Sequence, residues 1–88
     1  MHQEFRFNYD SASQLRDFLL SLGQSAQVED RGEFFIFRQH LGEPEFEFDC
    51  ALVPVGLLSN RSGEYFSFLG LFLEALTGQF GAVVVEDA

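Results

Sequence analysis

The sequence predicts a single α+β domain, with a mainly antiparallel sheet and two helices on one face of it, in the order β-α-β-β-β-α-β. Three observations predict this class. The chain has 88 residues, the size of one small domain. Its apolar fraction of 47% excludes intrinsic disorder. Segments of alternating polar and apolar residues are interrupted twice by segments with the apolar spacing of a helix. We therefore treat residues 1–88 as one two-layer unit.

The first strand and the first helix have the clearest local signals. Residues 4–9 place Phe5, Phe7 and Tyr9 on one side, which is the period of a half-buried strand. Ser11 begins a helix, with Gln14 at the spacing of a capping box. The helix has one apolar stripe, formed by Leu15, Phe18, Leu19 and Leu22. Gly23 is expected to end it.

Three strands are predicted in the middle of the chain. Residues 26–30 form a short strand, followed by a tight turn at residues 31–32. Residues 33–40 contain the apolar run Phe-Phe-Ile-Phe, which favours a central strand with both faces covered. Residues 45–53 alternate acidic residues with apolar ones, and Pro54 ends this strand.

The last third of the chain is predicted to contain a loop, a helix and a strand. We expect residues 55–63 to be irregular and Ser62 to cap a helix over residues 64–77, which Gly78 ends. Residues 82–85 form the final strand and residues 86–88 a solvated tail. This element order resembles that of ferredoxin-like folds with one extra hairpin strand.

The charge of the chain excludes several partners. The chain has fourteen acidic residues and five basic residues, all arginine, which gives a net charge of −9. Phosphate backbones and anionic membranes need clustered basic residues, so neither nucleic acid nor a membrane is expected as a direct partner. The apolar stretch 66–76 is too short to span a bilayer. Residues 1–4 lack the features of a signal peptide and one cysteine cannot form an internal disulfide, so we expect a cytoplasmic protein.

An acidic row on the predicted strand 45–53 is the strongest functional signal. Glu45, Glu47 and Asp49 share one face, about 6.6 Å apart along the strand. Acidic residues are poor strand formers, so the row is interpreted as an anionic surface for a basic partner, such as a nuclease cleft, in which it would imitate phosphates. The alternative is a solvated face that prevents strand pairing between molecules, partly balanced by Arg38 or Arg31.

A second candidate site lies at the predicted start of the second helix. Ser59, Asn60, Arg61 and Ser62 would combine hydroxyl groups, a cation and free backbone N–H groups, which together bind anions. Ordinary helix capping explains the same residues. If the site is functional, the chain is a dimeric sensor of an anionic or amphipathic metabolite bound near residues 55–63.

Catalytic and metal sites have little support in the sequence. His2, His40 and Cys50 lack the spacing of zinc ligands, and no cofactor motif is present. Cys50 lies on the apolar side of its strand and is interpreted as a buried hydrophobic residue. Nothing near the paired carboxylates would separate their pKa values for acid–base work. We therefore expect that the protein is not an enzyme and that it binds neither a metal ion nor a cofactor.

Twelve phenylalanines are more than one sheet face and two helices readily hide. An exposed apolar patch usually marks an interface, which favours a homodimer through the open sheet face, although an overfilled monomeric core is the alternative. The leading hypothesis is a small acidic protein-interaction module, such as an inhibitor, immunity protein or regulator of a basic protein. Glu45, Glu47 and Asp49 would steer association, and Phe35, Phe37 and Tyr65 would anchor the partner.

Overall fold

The computed structural model describes residues 2–87, which form a six-stranded antiparallel sheet and two helices. The α+β class is therefore confirmed. The strands are β1 (His2–Arg6), β2 (Gln27–Asp30), β3 (Phe34–Arg38), β4 (Phe46–Val53), β5 (Gly56–Gly63) and β6 (Val84–Asp87). The helices are α1 (Ala12–Ser21), which continues into a short 3₁₀ turn (Leu22–Gln24), and α2 (Phe66–Phe80).

The strand order in the sheet is β2-β3-β4-β5-β1-β6. Strands β2 to β5 follow one another as hairpins, and β1 then pairs with β5 on one side and β6 on the other. Every neighbouring pair that the structure describes is antiparallel. The observed order differs from the expected ferredoxin-like one because an additional strand, β5, lies between β4 and β1.

The additional strand is β5, which the sequence prediction treated as a loop. Its polar second half, Ser-Asn-Arg-Ser-Gly, resembles a turn, whereas it pairs with β4 along its full length and with β1 over residues 56–60. The prediction of an irregular segment over residues 55–63 is wrong because the composition of this segment does not report its backbone pairing with the adjacent strand β4 or with the distant strand β1. Pro54 does end β4, in the two-residue turn that leads into β5.

Two glycines allow β5 to fit between its neighbours. Gly56 has φ 147°, and a Cβ atom there would lie 2.1 Å from the carbonyl oxygen of Phe5. Gly63 has φ 77°, and a Cβ atom there would lie 2.6 Å from the carbonyl oxygen of Glu45. Both clashes are with backbone, which cannot move aside cheaply. The two ends of β5 thus require glycine for close approach and for conformation.

The start of α1 follows the predicted capping box. The Ser11 hydroxyl accepts a hydrogen bond from the Gln14 backbone N–H at 3.1 Å, and the Asp10 backbone N–H donates to Gln14 Oε1 at 2.9 Å. The buried residues Leu15, Phe18, Leu19 and Leu22 confirm the predicted apolar stripe.

The second helix is shifted toward the C-terminus relative to its prediction. It begins at Phe66 after Tyr65, because Ser62 belongs to β5 and does not cap it. It continues through Gly78 to Phe80, and Gly81, with φ 83°, follows its end. The final strand likewise begins later and includes Glu86 and Asp87, which were predicted to be a tail; Ala88 lies outside the described residues.

Both helices pack against one face of the sheet, and aromatic rings fill the space between them. The Phe72 ring centroid on α2 lies 5.5 Å from that of Phe5, 5.0 Å from that of Phe48 and 6.1 Å from that of Phe18 on α1. Phe68 contacts the rings of three strand residues on the same face, namely Phe37, Phe46 and Phe48. We call the opposite face, on which neither helix packs, the open face.

Most of the phenylalanine side chains are buried in this core. Eight of the twelve phenylalanines are buried: Phe5, Phe18, Phe35, Phe37, Phe46, Phe48, Phe68 and Phe72. Phe34 on the open face is 38% exposed and Phe66 on α2 is 70% exposed. The exposed phenylalanines are therefore two separate side chains, one on the open face and one on α2.

The β2–β3 turn is held by an arginine from α1. Arg16 donates to Asp30 Oδ2 at 2.7 Å and to the Gly32 carbonyl at 2.6 Å, while the Gly32 backbone N–H donates to Asp30 Oδ1 at 2.8 Å. The Gly32 hydrogen bond and, after it, Arg16 hold the pKa of the Asp30 carboxyl below its ordinary value of 3.8. The ionised carboxylate therefore contributes to stability.

We predict that Phe72→Ala lowers the free energy of unfolding by about 3–5 kcal/mol, because it leaves a cavity among four aromatic rings. The matched control is Phe66→Ala, which removes the same side chain from an exposed position and should change stability by less than about 0.5 kcal/mol. Urea unfolding followed by circular dichroism measures both. Equal effects of the two substitutions would contradict the described core.

We predict that Asp30→Asn lowers the urea midpoint near neutral pH and that its difference from wild type shrinks in acid. A carboxyl whose folded-state pKa is depressed stabilises the protein above its ordinary pKa of 3.8, and this contribution is lost as the pH falls further. Asp17→Asn, at an exposed position of α1, is the control and should change the midpoint little at either pH. A difference that stays constant down to about pH 2 would disprove this linkage.

Candidate partner-binding surface

The acidic row, Glu45, Glu47 and Asp49, lies along β4 on the open face. Glu47 and Asp49 belong to the strand, and Glu45 immediately precedes it. Burial alternates along β4, because Phe46, Phe48 and Cys50 point toward the helices. The predicted separation of acidic and apolar faces is therefore present.

One arginine partly neutralises this row. Arg38 lies opposite Glu47 in the β3–β4 register, with its Nε 3.5 Å from Glu47 Oε2. Its Nη1 also lies 3.4 Å from Glu29 Oε1 on β2. These pairs are between half-exposed side chains and contribute little to stability. The second candidate for balancing the row, Arg31, instead bonds to Glu29 and lowers the pKa of that carboxyl.

Asp49 is held beside β5 by a backbone contact. Its Oδ1 accepts a hydrogen bond from the Asn60 backbone N–H at 2.9 Å, which orients the carboxylate on the sheet surface. Within residues 2–87, no arginine lies within ion-pair distance of Asp49 or of Glu45. Arg38, shared with Glu29, is thus the cation that this part of the chain offers to the three acids of the row.

Two cavities flank the acidic row at opposite ends of β4. The first, of about 490 Å³, is polar and is lined by Arg38, Gln39, Glu45, Phe46, Glu47, Ser62 and Gly63. The second, of about 340 Å³, is named here the Phe34 pocket and is lined by His2, Glu33, Phe34, Asp49, Ala51, Leu52, Leu58, Ser59 and Asn60. The row therefore connects two concave regions, and each holds at least one of its carboxylates.

Phe35 and Phe37 do not belong to this surface, so their predicted role as exposed anchors is wrong. Both side chains are fully buried on the helix-facing side. The Arg16 guanidinium lies 5.1 Å from the centre of the Phe35 ring, and the Phe37 ring packs on Phe68 at 5.1 Å. Four successive apolar residues carry no alternation, so the sequence did not show which pair faces outward. The exposed aromatic residue of β3 is Phe34, which the choice of anchors missed.

Tyr65 is half-buried and lies on the helix-facing side, apart from the acidic row. Its ring stacks on Phe66 with centroids 4.5 Å apart, and the Arg61 guanidinium lies 5.0 Å from its centre. Tyr65 and the acidic row thus occupy opposite sides of the sheet. A partner flat on the open face would contact the row and not Tyr65.

The predicted anion site at residues 59–62 is not formed. These residues lie within β5, so the side chains of Ser59 and Arg61 point toward the helices, where both are buried. Asn60 and Ser62 alternate with them and point to the open face. Arg61 donates to Gln3 Oε1 and lies over the Phe48 ring. Because strand geometry separates the four side chains, they do not converge on a ligand.

Cys50 is fully buried and is a free thiol. Burial, and after it the neighbouring Asp49, raises the pKa of the Cys50 thiol well above its ordinary value. A thiol in this environment is a poor nucleophile. Among residues 2–87, no three histidine, cysteine or acidic side chains are grouped so that they could hold a metal ion. No helix in the same residues is long and apolar enough to cross a membrane.

Comparison of the chain with protein-family models, curated proteins and solved structures gives no match.

We predict that Cys50 of the folded protein reacts with Ellman's reagent only as fast as the protein unfolds, whereas it reacts at once in denaturant. The control is Leu41→Cys in a Cys50→Ala background, because Leu41 is fully exposed in the turn between β3 and β4. That thiol should react at the same rate in the folded and the unfolded chain. Rapid labelling of folded wild-type protein would contradict the burial of Cys50.

Proposed function

We propose that this protein is a non-enzymatic interaction module whose open sheet face binds a basic protein, as an inhibitor, immunity protein or regulator does. The observation that carries the proposal is the acidic row, which lies between two cavities on the face that neither helix covers. Glu45 and Asp49 have no arginine within ion-pair distance in residues 2–87, and Glu47 shares Arg38 with a second acid. A cationic partner would complete the neutralisation that the chain leaves unfinished.

The wider charge distribution of the open face supports the same proposal. Glu4, Glu29 and Glu86 share this face with the row by strand register. Arg6 forms ion pairs with two of them: its Nε lies 3.3 Å from Glu4 Oε1 and its Nη1 lies 3.6 Å from Glu86 Oε2. The face thus combines more acids than bases with a chain charge of −9. Such a field accelerates the encounter with a basic protein and repels phosphate backbones, so nucleic acid is not proposed as a partner.

The single cysteine, free and buried, is compatible with the reducing cytoplasm, where we propose that the protein acts.

We also propose that the protein forms a homodimer, although not through the open face, because two acidic faces would repel each other. The edge strand β6 is a better candidate for the dimer contact. Its Val84 and Val85 are 54% and 43% exposed, and its outer edge pairs with no strand of residues 2–87.

A small-ligand sensor is the second candidate function, and the Phe34 pocket is the observation that favours it. Its volume of about 340 Å³ is at the lower end of the range for small-molecule sites. Residues 58–60, in the middle of the predicted ligand loop of residues 55–63, line it. The anionic ligand proposed from the sequence is disfavoured, however, because Glu33 and Asp49 also line the pocket. A thermal-shift screen in which only cationic metabolites raise the melting temperature would support this function.

We predict that reversing the acidic row, as Glu45→Lys, Glu47→Lys and Asp49→Lys together, slows association with the partner at least about tenfold at low salt. The partner is first captured from native extract at low salt, identified and purified, and its association rate is then measured by stopped flow. The matched control is Asp10→Lys, Asp17→Lys and Glu74→Lys, which makes the same change in net charge at exposed positions away from the open face. Equal rates for the two triple variants would refute a role of the row beyond net charge.

A further inference from the structure

The Phe34 pocket combines an apolar floor with an acidic rim. Phe34, Ala51 and Leu58 are direct cross-strand neighbours on β3, β4 and β5, so one apolar row crosses three strands of the open face. In the adjacent row, Asp49 pairs with Asn60 on β5 and with Ile36 on β3, so the polar part of that row lies on β4 and β5. The pocket is therefore apolar at its base and charged along one side.

The carboxylate of Asp49 is fixed at this rim. The Asn60 backbone N–H occupies one acceptor position of Oδ1, and a carboxylate offers about four such positions. None of the five arginines comes within ion-pair distance of it in residues 2–87. The rim thus presents an oriented negative charge with acceptor capacity left for a donor from another molecule.

We propose that this pocket receives an arginine side chain of the partner protein, an inference that rests on the proposed function and specifies its recognition element. The methylene stem of arginine suits the apolar row, and its charged end suits the rim. A guanidinium stacks on an aromatic face and donates two parallel hydrogen bonds to a carboxylate, which matches Phe34 and Asp49 together. The arginine is the anchor of the interface, and the rest of the acidic row steers the approach.

Other occupants fit this pocket less well. An aliphatic side chain would cover the apolar floor but would desolvate Asp49 without pairing it, which is costly. An anionic group would face the carboxylate directly. A second copy of this chain would bring a face with the same excess of acids. Charge complementarity therefore selects a cationic side chain with an apolar stem.

The test uses the full chain and the tripeptide acetyl-Gly-Arg-Gly-amide, followed by ¹H–¹⁵N correlation spectra. We expect saturable shifts of the backbone amides of Phe34, Ala51 and Leu58, with a dissociation constant on the order of 1 mM. The tripeptides with citrulline, which is neutral, and with lysine should each bind at least about fivefold more weakly. Equal binding of the citrulline peptide, or of the lysine peptide, would overturn the proposed recognition of arginine.

Two variants and one control assign the binding to the pocket. Asp49→Asn keeps an oxygen acceptor for the Asn60 N–H but removes the charge, and Phe34→Ala removes the stacking ring; each should weaken arginine-peptide binding at least about fivefold. The control, Glu74→Gln, removes one charge at an exposed position of α2, away from the open face, and should leave peptide binding unchanged. Their spectra also report whether each variant is folded. Equal peptide affinity in wild type and Asp49→Asn would overturn the proposal.

The two proposals fail in different ways. If the acidic row controls association with the partner but the arginine peptide moves no amide of the pocket, the arginine anchor is refuted and the interaction module stands. If the peptide binds and Asp49→Asn abolishes its binding while the row has no effect on any protein partner, the pocket stands as an arginine site and the interaction module is refuted.

Discussion

The antiparallel pairing of β4 with β5 is the interaction on which the rest of the structure depends. It joins the hairpin strands β2 to β4 to the pair formed by the chain ends, β1 and β6. It also sets the register that places Ala51 beside Leu58 and Asn60 beside Asp49. The Phe34 pocket and the orientation of its carboxylate follow from this register. The pairing of β5 with its neighbours requires glycine at positions 56 and 63, because a side chain at either position would collide with neighbouring backbone.

A second constraint is the distribution of few cations among many carboxylates. Arg16 holds the β2–β3 turn, Arg6 serves the β1–β6 side of the open face, and Arg38 bridges β2 and β4. Arg61 packs between Phe48 and Tyr65 in the core region and contributes no charge to the open face. Arg31 is bonded to Glu29, so within residues 2–87 no arginine forms an ion pair with Asp49 at the end of the acidic row. The location of that charge beside an apolar floor distinguishes it from a uniformly solvated acidic face.

Local patterns predicted those parts of the fold that depend on neighbouring residues. The capping box at Ser11 and Gln14, the apolar stripe of α1 and the alternation along β4 are all present in the structure. The prediction failed where backbone pairing overrides composition. Residues 59–63 have the composition of a turn, yet all five pair with the hairpin strand β4, and Ser59 and Asn60 also pair with β1. That error also produced the incorrect capping role of Ser62 and the incorrect anion site.

The sequence by itself determined that one strand carries acids on one face and aromatic residues on the other, because a strand alternates its side chains with a period of two. It also determined an excess of negative charge that favours basic partners. Only the tertiary structure decided that Phe34 faces outward while Phe35 and Phe37 are buried, because a continuous apolar run has no period from which a face can be assigned. Only the tertiary structure placed Phe34, Asp49 and Leu58 around one pocket, because they lie on three strands whose register depends on backbone pairing across the sheet.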